Sequence, residues 1–148
     1  PAMVAAVQGN QLAAVHRTYL KIDGSGKADI EPSKMMLGAT KRAAVRLSES
    51  RERLVVAEGI ETALSLSSGL LSAPAGVWAA LSTSGMRGLV LPAQAGHLTI
   101  ASDGEQAGRE AANALAARAN DLGWRVTLLP APDGLDWNDV LMMKGETV

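Results

Sequence analysis

From residue 54 onward, short apolar runs alternate with stretches in which apolar positions recur every three or four residues. The runs at 54–57, 77–81, 98–101 and 125–129 predict strands. Those at 54–57 and 98–101 read as buried, because a continuous apolar run bounded by turn residues has no polar side to show water. Ile60, Ala63, Leu64, Leu70 and Leu71 follow the first run with helical spacing. Ala107, Ala111, Leu115, Ala119 and Leu122 do so after the third, and Gly123 stands where a C-terminal cap would sit. The STSG stretch at 82–85 reads as a turn into a short segment, 86–91, that Pro92 ends. Pro130, Pro132 and Gly134 make a loop, and Asp136 opens a last helix over 136–143.

The first third has another rhythm. Residues 3–7 and 12–20 predict two strands around a turn at Gly9 and Asn10, close enough in sequence to form a hairpin. Gly24, Gly26 and Pro32 make 23–34 a loop, which carries Lys27 and Lys34, and 43–47 predicts a third strand carrying Arg46. The polar stretch 48–53 reads as a connector. The expected organisation is therefore a small, mostly-β subdomain over 1–53 and an α/β domain over 54–148. In the latter, regular alternation of strand and helix implies a parallel sheet flanked by helices.

In such sheets ligands bind outside the carboxyl ends of the strands. Glu58 follows the first strand of the α/β part, Asp103 and Glu105 the third, and Asp136 and Asp139 the fourth, so all five acids are expected at one edge. Clustered carboxylates repel and raise one another's pKa unless a proton or cation neutralises them. Mg²⁺ suits such a set, since it takes hard oxygen ligands and uses one or two carboxylates plus phosphate oxygens. The chain has no cysteine, and its two histidines, His16 and His97, are too far apart in sequence for ligand spacing, which argues against zinc or copper. A plainer reading of Asp103 is also open: with Gln106 three residues on, it has the spacing of a helix N-cap.

Charge sharpens the picture. The net charge of −1 hides 9 Lys+Arg against 5 Asp+Glu in residues 1–53 and 5 against 10 in the remainder. A basic first third ahead of an acidic remainder is expected where one part meets phosphates and the other holds cations, although ordinary solvated charge gives the same count. With 3% aromatics and no Phe, there is little material for base stacking. No apolar run is long enough to span a bilayer. Together with the absence of cysteine, this gives a cytoplasmic location as the expectation. A chain that opens on Pro1 reads as a piece of a longer polypeptide.

The segments VVAEGIETALS, SDGEQAGREAA and GLDWNDVL, in that order, resemble the Toprim domain of DnaG-type primases, topoisomerases and some nucleases, and most of all that of phage- and plasmid-related primases and primase-helicases. The stretches VHRTYLKIDGSGKA and MMLGATKRAAVRLS resemble what precedes Toprim in such proteins. The resemblance implies a Rossmann-like parallel sheet of about four strands flanked by helices. It implies a general acid/base or metal ligand at Glu58, Mg²⁺ (with Mn²⁺ as substitute) at Asp103 and Glu105, and a further acidic motif at Asp136 and Asp139. Glu105 stands where the family has Asp, which lengthens the reach by one methylene. Glu61 would assist, or serve the helix dipole as a first-turn acid. Gly59, Gly104 and Gly108 would allow tight turns beside the site.

The implied activity is primer synthesis: ribonucleotides joined on a single-stranded DNA template, with nucleoside triphosphates as substrates. Arg17, Lys27, Lys34 and Arg46 would supply charge for phosphates, and zinc-ribbon and helicase modules would lie elsewhere in the chain. Three alternatives stay open. A Toprim nuclease would use the same acids, and a catalytically weakened nucleic-acid-binding module would follow from the Asp-to-Glu departure. A topoisomerase would need a tyrosine nucleophile, and Tyr19, the single tyrosine, falls in a predicted strand.

Overall fold

The computed structural model describes residues 1–9 and 12–145. Eight strands form one continuous sheet. In chain order they are β1 (Ala2–Gln8), β2 (Leu12–Tyr19), β3 (Lys34–Gly38), β4 (Ala44–Ser48), β5 (Arg53–Ala57), β6 (Gly76–Ala79), β7 (His97–Ser102) and β8 (Arg125–Pro130). Their order across the sheet is β3-β2-β1-β4-β6-β5-β7-β8. The first four are antiparallel, β4 joins β6 antiparallel, and β6, β5, β7 and β8 run parallel. The expected four-stranded parallel unit is present, and the N-terminal strands extend its sheet.

Four helices complete the fold: α1 (Ile60–Ser65), α2 (Thr83–Gly88), α3 (Gln106–Asp121) and α4 (Trp137–Gly145). A π-helical turn, Leu66–Leu70, prolongs α1 and ends where Gly69 adopts φ 124°. After β5 the chain steps to β6 on one side, then crosses back over β5 to β7 and β8 on the other. Right-handed crossovers then require helices on opposite faces. Accordingly α2 and α3 pack on Leu54, Val56, Leu98 and Ile100, while α1 packs on Val55, Ala57, Val77 and Ala101. Burial on both faces is why β5 reads as an unbroken apolar run. In β1 burial alternates, with Met3, Ala5 and Val7 turned inward.

Three local expectations are revised. Residue 34 opens β3 instead of closing a loop. All five β3 residues are exposed, and a strand held at the sheet edge only by pairing with β2 carries no alternating burial to read. The 82–85 stretch begins a helix: Ser82 is the N-cap of α2, its side chain accepting from Gly85 N at 2.9 Å. On α3 the buried stripe is Gly108, Ala111, Ala112, Leu115, Ala116 and Ala119, so Ala107 and Leu122 fall outside it. The β1–β2 connection passes through Asn10, which lies outside the described residues.

Candidate functional site

The sheet reverses direction of growth between β5 and β7, and the crevice beyond their carboxyl ends is where an open α/β sheet offers a site. Glu58 leaves β5 and Asp103 leaves β7, strands that are direct neighbours, with Ala57 paired to Ala101. The Glu58 carboxyl lies over the start of α3 in space that Gly108 leaves open: a Cβ at residue 108 would stand 3.1 Å from Glu58 Oε2 and 3.2 Å from the Asp103 carbonyl oxygen. Gly104 serves the site differently. A Cβ there would overlap the Pro132 carbonyl oxygen and lie 2.8 Å from that of Leu135, whereas Gly104 N donates to Leu135 O at 2.7 Å. That close approach docks the 131–135 loop against the end of β7 and delivers Asp136 to Asp103. Gly59 has no such constraint; its φ is −107°, and an added Cβ would meet only Glu61 Oε2, at 3.6 Å.

The acids feel one another. Burial, then the charges of Asp103 and Glu105, push the Glu58 carboxyl above its ordinary range. Asp103 is also raised, by burial first and then by Asp136, Glu105 and Glu61, against a hydrogen bond that Thr62 Oγ1 donates to its Oδ1 at 3.2 Å. Asp103 is not a helix cap: α3 starts at Gln106, the cap position falls to Glu105, and Glu105 makes no side-chain cap bond. The capping-box geometry appears instead at α4. There Asp139 N donates to Asp136 Oδ1 at 2.8 Å and Asp136 N to Asp139 Oδ2 at 3.0 Å, satisfying two donors reciprocally. Glu105 is exposed.

Glu61 takes another direction. Its carboxylate meets Lys27 Nζ at 3.0 Å and Lys34 Nζ at 2.9 Å. Burial opposes its ionisation, but the hydrogen bonds from Lys34 and Lys27 outweigh it and hold the carboxyl at about 2. Lys27 is placed by a bridge between its backbone and Leu20, and Lys34 by the first pair of β3. Two lysines of the N-terminal segment thus fasten to α1 beside the acids. His16, 5% exposed, lines a cavity of about 110 Å³ with Lys34, Glu61 and Leu81; burial, then Lys34, lowers its pKa, against the pull of Glu61. His97 starts β7 at the opposite edge and hydrogen-bonds Thr127 at 2.8 Å.

Arg17 and Arg46 lie on the other face of the sheet from Lys34. Arg17 alternates with the inward His16 and Thr18. Arg46 sits 4.3 Å over the Trp78 ring, donates to Gly9 O at 3.4 Å and pairs with Glu49. The basic residues therefore divide, two beside the acids and two away from them. Among the described residues, no group of three His, Asp or Glu side chains is placed to hold a metal ion by itself. What the site offers is a set of acids, Glu58, Asp103, Glu105 and Asp136, near enough for their charges to act on one another. That arrangement suits a hard cation whose remaining ligands are waters and phosphate oxygens.

The Toprim domain family matches residues 53–147, most of the chain and all of its candidate acids. The chain belongs to the Toprim family. Residues 1–47, ahead of the Toprim part, match a family described as a domain of unknown function (DUF7146). A search of curated proteins gives no match. Among solved structures, the Toprim chain resembles a DNA primase domain from Pseudomonas aeruginosa at 22% identity and TM-score 0.56, covering 97% of this chain and 47% of that one. It resembles the zinc-binding and RNA polymerase domains of Aquifex aeolicus primase at 17% identity and TM-score 0.64, covering 99% and 38%. It resembles the RNA polymerase domain of Mycobacterium tuberculosis primase DnaG at 17% and 0.57, covering 99% and 52%. The chain thus spans about half or less of each, and the likeness establishes a DnaG-type Toprim fold. Thr62 belongs to the site as well, through its hydroxyl on Asp103. A threonine in a short helix carries no mark of the aspartate it will meet 41 residues later.

Proposed function

We propose that this chain is the Toprim catalytic core of a DNA primase-like protein, a nucleotidyltransferase that makes RNA primers on single-stranded DNA in the cytoplasm, working with further modules of its parent polypeptide. One observation carries the reading. Glu58 and Asp103 meet at the ends of adjacent parallel strands, both pushed toward protonation by burial and by neighbouring acids. Toprim domains bind divalent metals, and a cation beside such a set of like charges favours its ionised form. Mg²⁺, or Mn²⁺ in its place, would supply charge neutralisation at the triphosphate. Asp103 and Asp136 would hold it together with waters and phosphate oxygens, Glu105 would turn in from its exposed position as a third carboxylate, and Asp139 would hold Asp136.

Glu58, with its raised pKa, fits the general base. Its carboxylate would accept the proton of the primer 3′-hydroxyl as that oxygen bonds to the α-phosphorus and pyrophosphate leaves. Lys27 and Lys34, neutralised only in part by Glu61, lie where triphosphate or template phosphates would approach. Arg17 and Arg46 could meet template phosphates only on the other face. The test is primer synthesis by the intact protein on single-stranded DNA with Mg²⁺ or Mn²⁺. Glu58→Gln should lose about 10²- to 10⁴-fold in rate, the usual share of a general base, and Asp103→Asn should fall sharply too. A parent that cleaves DNA and makes no primers would select the nuclease reading. The exposure of Glu105 favours a second reading, a catalytically weakened nucleic-acid-binding module. Retained single-strand binding without synthesis or cleavage would select that one.

A further inference from the structure

Thr62 is 2% exposed, yet the group it buries is a hydroxyl aimed at a carboxylate across the crevice. Beyond the first turn of a helix a hydroxyl can bond back to the carbonyl four residues earlier, a partner that Thr62 lacks because α1 is capped at Gly59 and residue 58 precedes it. Three neighbours bond back in that way: Ser65 donates to Glu61 O at 2.9 Å, Ser67 to Ala63 O at 3.0 Å and Ser68 to Leu64 O at 2.8 Å. Thr62 instead donates to Asp103 Oδ1, and among the described residues no other side chain donates to that carboxylate. The helix turn that carries it is itself fixed, since the adjacent Glu61 is clamped by Lys27 and Lys34.

We infer that Thr62 is a positioning residue, which fixes the orientation of the Asp103 carboxylate by holding Oδ1 and so presents Oδ2 to a divalent cation. This rests on the metal-dependent reading of the site. A carboxylate with one oxygen tethered loses less freedom on binding an ion than one free to rotate, and partners of this kind typically contribute 10- to 100-fold to metal affinity. The tether also couples two neighbouring strand ends, because Thr62 follows β5 and Asp103 follows β7.

The experiment is Mn²⁺ binding to the intact protein, read by electron paramagnetic resonance, for the parent, Thr62→Val, Thr62→Ser and Asp103→Asn. Valine keeps the shape and loses the hydroxyl; serine keeps the hydroxyl and loses the methyl. Thr62→Val should weaken Mn²⁺ binding by about 10- to 100-fold, and Thr62→Ser should retain it. In the Asp103→Asn background, Thr62→Val should have no further effect, the sign that the hydroxyl acts through that aspartate. Parent-like binding by Thr62→Val overturns the inference. So does equal loss in valine and serine variants, which would assign the effect to packing; if the valine variant does not fold, Thr62→Ala takes its place and is read against serine, with parent-like binding by alanine overturning the inference. A parent that binds Mn²⁺ no better than Asp103→Asn overturns the metal reading itself, and the inference with it.

Discussion

At the scale of single residues, Asp103 shows how a site can work against the fold that carries it. A carboxyl whose pKa is raised in the folded state destabilises the protein at pH values above that pKa, and the penalty disappears below the ordinary carboxylate range. In metal-free protein, Asp103→Asn should therefore leave the melting temperature unchanged or raise it at pH 7–8, with the gain vanishing near pH 3. With Mn²⁺ the order should invert. A ligand at a hundredfold excess over its Kd stabilises by about 2.7 kcal/mol, and the Asn variant should lose that increment. Thermal unfolding with and without Mn²⁺ checks both halves, and equal metal stabilisation in both proteins would remove Asp103 from the ligand set. Gly104 gives a steric counterpart. Gly104→Ala pushes a methyl into the Pro132 carbonyl; it should cost about 1 to 3 kcal/mol, as overpacking does, and weaken Mn²⁺ binding by moving Asp136 away from Asp103. Denaturant unfolding measures the first and metal titration the second.

At the scale of elements, α1 joins the two parts of the site: Glu61 faces the N-terminal lysines and Thr62 faces Asp103. The depressed pKa of Glu61, about 2, means that its ion pairs contribute stability fully above the ordinary carboxylate pKa and lose it as pH falls toward 2. Partly exposed pairs contribute less than buried ones, so Glu61→Gln should cost about 1 to 2 kcal/mol at pH 7. The difference from the parent should close between pH 4.5 and 2; a gap that persists to pH 2 would assign the loss to packing. Much of this level was legible in the sequence. Strands β5 and β7 and helix α3 announce themselves because burial on two faces, or on one helical stripe, leaves a periodic mark. Edge strand β3 and helix α2 leave none, since one is exposed throughout and the other opens on a Ser-Thr-Ser turn signal that also serves as an N-cap. The five acids were legible because they follow strand ends. The pairing of Glu61 with lysines 34 and 27 residues before it was not, because a long-range ion pair has no local signature.

At the scale of the whole molecule, the sheet runs without interruption from the N-terminal hairpin into the parallel unit through the β1–β4 and β4–β6 pairs. The core continues too, since Val7, Ala43 and Val45 pack with Val55, Ile60 and Leu66. Amide exchange in β1 and β4 should therefore require the same free energy as exchange in β5, as it does for segments that open only by global unfolding. Earlier exchange of β1 and β4 would mean that residues 1–47 open as a separate unit. The described residues contain no helix long and apolar enough to cross a membrane. The direct pairing of β5 with β7 has one more consequence. Glu58 and Asp103 each stand one residue past a strand end, just beyond the Ala57–Ala101 pair of a ladder that holds its two backbones about 4.8 Å apart, so the width of the jaw is set first by the weave of the sheet. Loop residues can then be exchanged to retune what enters the jaw while its gauge stays constant. A change of gauge would require re-registering a central strand, which turns its buried side chains to the wrong face.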